Sequence, residues 1–143
     1  MNKTTITPRE YAELKRLAQE YATVLEKAPI LVVDDDNAVR DVVVQMLSAN
    51  GFGVLTASDG SEALRILGQR SVDLLFTDIV MPGMDGVELA RQARQVRPGL
   101  KVLFATGYAQ KAIERDAIHQ TRVVYKPLRQ AELVKEIEAL LAA

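Results

Sequence analysis

The chain has 143 residues, 48% apolar and 26% charged, enough for one well-buried core with an appendage and too few for two large domains. Eighteen basic residues against nineteen acidic ones leave a net charge of −1, so no overall field recruits nucleic acid or an anionic membrane. There is no cysteine for a disulfide or thiol chemistry, and no run approaches the roughly 18 apolar residues of a membrane span, so the chain reads as soluble and cytoplasmic.

Residues 7–27 read as one amphipathic helix. Thr7 suits its cap, Pro8 its first turn, and Glu10 lies three residues after the cap, as a capping box requires. Tyr11, Leu14, Leu17, Ala18, Tyr21, Val24, Leu25 and Ala28 recur at spacings that give one apolar stripe. Either a second copy of the chain or a groove on the following domain must cover it, and a homodimer through 7–27 is the expectation. Ala28 and Pro29 end the helix, because the residue before proline is pushed away from α geometry. The expected division is therefore a helix over 1–28 and a domain over 29–143.

From Ile30 onward, short apolar strands alternate with amphipathic helices. Ile30–Val33 is a buried strand that ends in Asp34, Asp35 and Asp36. Val39, Val42, Val43, Met46 and Leu47 mark a helix face, although the β-branched run 42–44 favours strand by propensity alone. Asn50 and Gly51 punctuate its end, Val54–Ala57 forms a second strand, and Asp59 with Glu62 opens the next helix. Residues 74–77 form the central strand, running into Asp78 and a loop rich in glycine and proline. A helix follows from about Val87 to Val96, then a strand over 102–105, a polar and weakly periodic segment over 108–120, a strand over 123–125, and a last helix buried through Leu133, Val134, Ile137, Leu140 and Leu141.

Near-continuous apolar strands separated by helices imply a parallel sheet covered on both faces. The α/β fold that fits is flavodoxin-like and doubly wound, five parallel strands in the order 2-1-3-4-5, with its ligand crevice at the carboxyl ends of the strands. Those ends carry Asp34 and Asp35, Asp78, Thr106 and Lys126. Three carboxylates drawn together repel one another unless a cation neutralises them, and Mg²⁺, with Mn²⁺ as a substitute, suits an all-oxygen set. A hydroxyl and an ammonium facing that ion suit phosphoryl oxygens. Singly, each residue has a plainer role: Asp35 or Asp36 as a helix cap, Thr106 as a strand end, Lys126 as a solvated lysine. Asp36 keeps the capping role, and the joint placement of the others points to a site.

The motifs LVVDDD, FTDIVMPGMDG, LFATG and VVYKPL, in this order, resemble the receiver domain of two-component response regulators over residues 30–143. The resemblance implies a single-domain phosphorelay module, not a turnover enzyme. Asp78 would take a phosphoryl group from a sensor histidine kinase or a histidine phosphotransfer protein. It also implies Mg²⁺ held by Asp35, Asp78 and the main-chain carbonyl of Val80, with Asp34 acting through water. Thr106 and Lys126 would bind the phosphoryl oxygens, and the Lys126–Pro127 peptide would be cis. Val123 stands where the family usually carries an aromatic residue. The TGY sequence and the short interval between Thr106 and Lys126 resemble receivers that work with hybrid sensor histidine kinases.

Two rival readings remain. Asp34 and Asp36 form a D-x-D pair after an apolar strand, as in haloacid-dehalogenase-like phosphatases with Asp34 as nucleophile, although Ala38 departs from that motif. A receiver-like scaffold that is never phosphorylated is the other. The sole histidine, His119, reads as a solvated surface residue.

Overall fold

A side-chain cap and a buried face at helical spacing decide the three helices between the first strand and the fourth. The computed structural model describes residues 5–26, 29–107 and 122–143. In chain order the elements are α1 (Pro8–Glu26), β1 (Ile30–Val33), α2 (Asn37–Ala49), β2 (Val54–Ala57), α3 (Gly60–Gln69), β3 (Leu74–Asp78), α4 (Gly86–Val96), β4 (Lys101–Thr106), β5 (Arg122–Tyr125) and α5 (Gln130–Ala142). Thr7 caps α1 as expected: its Oγ1 accepts from the Glu10 amide at 3.1 Å. The polar segment 108–120, with Tyr108 and His119, lies outside the described residues.

Helix α2 shows how context overrides propensity. Asp36 accepts from the amides of Ala38 and Val39, which satisfies two donors of the first turn. Val43 and Leu47, one turn apart, are fully buried, so the β-branched run is held helical by what it packs against. Asp59 and Asp85 cap α3 and α4 in the same way, accepting from Glu62 and Glu88.

The five strands are all parallel, in the order β2-β1-β3-β4-β5, as the sequence implied. Successive strand residues point to opposite faces, so each strand supplies two cores. Ile30, Val32, Leu74, Phe76 and Leu103 face Val43, Leu47, Leu133 and Ile137 of α2 and α5. Leu31, Val33, Leu75, Val102 and Phe104 face Ala63, Leu67, Leu89 and Ala93 of α3 and α4. Full burial of each such leucine or valine contributes about 1.5–3 kcal/mol, which is why the strands tolerate almost no polar residue.

One contact fixes the α3–α4 layer. The guanidinium of Arg97, just past α4, donates to the carbonyl oxygens of Leu67 at 3.1 Å and Arg70 at 3.2 Å, satisfying carbonyls that the end of α3 leaves open. The chain order reverses between β1 and β3, which places the crevice at their carboxyl ends.

Candidate functional site at the carboxyl edge of the sheet

The β1 end is built first. Asp34 follows directly on Val33, and its amide bonds the carbonyl of Ala57 at 3.3 Å, which continues the ladder to β2. Its carboxylate is buried and accepts the Asp36 amide at 2.9 Å, folding the acidic triplet into a tight turn. Arg40, one turn into α2, donates to the main-chain oxygen of Asp34 at 2.7 Å and to the side chain of Asn37. Sequence reasoning missed Arg40, although its position four residues after the cap Asp36 puts it on the face of α2 that looks back at this turn.

Asp78 is the last residue of β3 rather than the first of the loop, since Asp78 pairs in register with Ala105. The Ile79 amide then bonds the carbonyl of Ala105 at 3.0 Å, and the Gly86 amide bonds that of Ile79 at 2.7 Å. A Cβ on Gly86 would lie 2.1 Å from the main-chain oxygen of Asp78, so only glycine lets α4 begin this close to the strand. The sequence marks Gly86 as a turn residue and hides this steric role. The Val80 main-chain amide donates to the Asp78 carboxylate, while the Val80 side chain is exposed.

Thr106, the last residue of β4, is fully buried, and its carbonyl accepts the Lys126 amide at 2.7 Å. The Lys126–Pro127 peptide is cis, as the resemblance implied. The Lys126 ammonium lies 3.0 Å from Oδ2 of Asp78 and 3.5 Å from Oδ2 of Asp34. Val123 is half-buried against the α3–α4 core.

Charge is concentrated here. Burial pushes the Asp78 carboxyl above its ordinary value, and Asp34 adds to this, against the opposing pull of Lys126 and the Val80 amide. Burial works against the Lys126 ammonium, yet its bonds to Asp78 and Asp34 outweigh that and hold it above the usual lysine range. The carboxylates of Asp34, Asp35 and Asp78 offer ligand oxygens within 4.8 Å of one another, one buried, one exposed and one between. A buried, an intermediate and an exposed oxygen donor, with no sulfur or imidazole among them, fit a hard divalent cation open to solvent on one side.

The chain matches the family model for the response regulator receiver domain over residues 30–138. It belongs to that family. The receiver is 42% identical over 116 residues to the response regulator receiver protein CpdR of Brucella abortus, covering 80% of this chain and 97% of that protein. It is 35% identical to the sensor kinase CckA of the same organism, covering 80% of this chain but only 12% of the kinase. Among solved structures, the receiver domain of NtrX from Brucella abortus aligns at a TM-score of 0.75 and 31% identity over 80% of this chain and 98% of that one. Receivers are signalling modules of two-component systems, and they hold Mg²⁺ in an acidic pocket of the kind that Asp34, Asp35 and Asp78 form here. No described helix is long and apolar enough to cross a membrane.

Proposed function

We propose that this receiver, spanning 29–143, accepts a phosphoryl group on Asp78 from the phosphohistidine of a sensor histidine kinase or a histidine phosphotransfer protein, in the cytoplasm. The observation that carries the reading is the meeting of Asp78 with two carboxylates within 4.8 Å and with an ammonium at 3.0 Å. A carboxylate oxygen of Asp78 attacks phosphorus, the P–N bond to the donor imidazole breaks, and the imidazole leaves with a proton. Attack of water on the resulting acyl phosphate returns the carboxylate and inorganic phosphate.

Asp34, Asp35, Asp78 and the Val80 carbonyl are the groups that would hold Mg²⁺, which supplies positive charge to offset the crowding of carboxylate and phosphoryl oxygens. Lys126 already bonds the acceptor carboxylate, so it can follow the added charge as a charge-assisted donor. The Thr106 hydroxyl, at the end of the neighbouring strand, is the second group for the phosphoryl oxygens. Together they convert a local change of charge into a shift of the β4 and β5 ends.

The phosphatase alternative needs Asp36 beside Asp34 in the chemistry, yet Oδ1 of Asp36 accepts from the amides of Ala38 and Val39 and so holds the residue as the cap of α2. Incubation with Mg²⁺ and acetyl phosphate, followed by intact mass measurement, tests the reading. One phosphoryl group is expected on the parent, the same group gained more slowly on Asp34→Asn, and none on Asp78→Asn. Gain on Asp78→Asn with loss on Asp34→Asn would establish the phosphatase type, and no gain on the parent would leave the unphosphorylated scaffold.

A further inference from the structure

Over residues 8–18, helix α1 presents its apolar residues outward. Tyr11, Leu14 and Leu17 are 59%, 55% and 46% exposed, and Ile6 just before the helix is 39% exposed. The other exposed large apolar residues, Val42, Val80, Val96, Tyr125 and Leu141, belong to different elements of the fold. Four such side chains within twelve residues make a patch of the kind that marks an interaction surface, whereas scattered ones carry no such meaning.

We infer that a second copy of this chain covers the stripe, through a parallel, in-register pairing of the two α1 helices. Positions 11, 14, 18, 21 and 25 follow one another at spacings of three and four, which places them at a and d of a heptad over two repeats. On that frame Glu10 falls at g and Lys15 at e. In a parallel pair, g of one helix faces e of the next heptad in the other, so Glu10 meets the partner's Lys15, and symmetry makes the bond twice. An antiparallel pair sets g against g and e against e, which separates these two charges.

Local pairing does not already use them. Glu13 is bound to Arg16 one turn on, whereas neither Glu10 nor Lys15 has an ion pair among the described residues. The opposed charges therefore select both the partner and its direction. Two heptads are short for an isolated coiled coil, so the pairing is of moderate strength and depends on the apolar seam.

Topology makes the parallel arrangement compatible with the proposed phosphoryl transfer. Helix α1 leads into the amino end of β1, whereas Asp78 closes the carboxyl end of β3, so the pairing helices join the sheet at the edge away from the acceptor. The competing occupant is the receiver's own cleft at the amino edge, lined by Ile30, Phe52, Asp73, Lys101 and Leu141. Tyr11, Leu14 and Leu17 do not fill that cleft, since all three are exposed and none lines it.

Sedimentation equilibrium of the full chain, with no phosphoryl donor present, tests the pairing independently of the phosphoryl-transfer reading. A reversible dimer is expected. Leu14→Glu should raise the dissociation constant by about a hundredfold or more. Glu10→Lys and Lys15→Glu should each raise it by about three- to tenfold, and the double reversal should restore the parent value to within about twofold. A full chain that is monomeric throughout, as fold-back into the cleft requires, overturns the inference. So does a dimer that the double reversal fails to restore.

Discussion

Lys126 reaches across a whole strand to Asp78: its Nζ lies 3.0 Å from Oδ2, although β5 and β3 are separated by β4. The ion pair therefore bridges the end of the central strand to the far edge of the sheet. Lys126→Ala should leave the fold intact, at a cost of about 1 kcal/mol or less for a partly exposed pair, and should leave Mg²⁺ binding in place. The amide shifts that beryllofluoride induces around β4 and β5 should shrink to a small fraction of those in the parent. Equal responses in the two proteins would show that another group carries the coupling.

Acid titration offers a second check. Burial holds the folded pKa of Asp78 above its ordinary 3.8, so ionising it opposes folding. Its contribution to stability is thus present below the unfolded pKa and is lost as pH rises through the folded one. Carboxyl-carbon NMR of the metal-free chain should place the Asp78 midpoint above 3.8, and Lys126→Met, which removes a lowering influence, should move it higher still. A midpoint at or below 3.8 in the parent would be the wrong sign.

Asp35 is exposed and, among the described residues, makes no structural bond like those of Asp34 and Asp36, so Asp35→Ala should change folding stability by no more than about 0.5 kcal/mol. Its loss should weaken Mg²⁺ by about tenfold or more, because a hard cation in this cluster depends on few protein oxygens. Isothermal titration with Mg²⁺ separates the two effects.

Gly86→Ala should be costly for its size. A Cβ 2.1 Å from the Asp78 carbonyl forces the strand end or the start of α4 to move, at about 1–3 kcal/mol by analogy with overpacked cores. Phosphorylation by acetyl phosphate should slow alongside the drop in the urea midpoint.

Arg97→Ala is the contrasting case. It opens the carbonyls of Leu67 and Arg70 at the opposite edge of the sheet, so stability should fall by about 1–2 kcal/mol with phosphorylation unchanged.

Most of this fold was legible because burial and chain punctuation agree along the sequence. Val54–Ala57 and Ile30–Val33 are apolar runs bounded by turn residues, and Asp59 three residues before Glu62 states where α3 begins. The gathering of polar groups at the carboxyl edge was legible for a different reason: Asp34, Asp78, Thr106 and Lys126 each end or directly follow a strand, and parallel topology sends all those ends the same way. What stayed hidden depends on contacts between elements distant in sequence. Arg97 is simply a charged residue before a proline until α3 is seen beside it, and Gly86 differs from any turn glycine only by its distance to a backbone oxygen. Strand bounds shifted by a residue, as at Lys101 and Arg122, because pairing extends past the apolar run that marks a strand in sequence.

The tight seat of Gly86 also offers a handle for instrumentation. Helix α4 starts against the end of β3 with no side chain between them, and the chain contains no cysteine. A single thiol introduced as Arg94→Cys, on the exposed face of α4, is therefore the unique attachment point for an environment-sensitive dye. Such a labelled chain would turn a change of charge at the half-buried Asp78 into an optical signal, followed in real time without a radioactive donor.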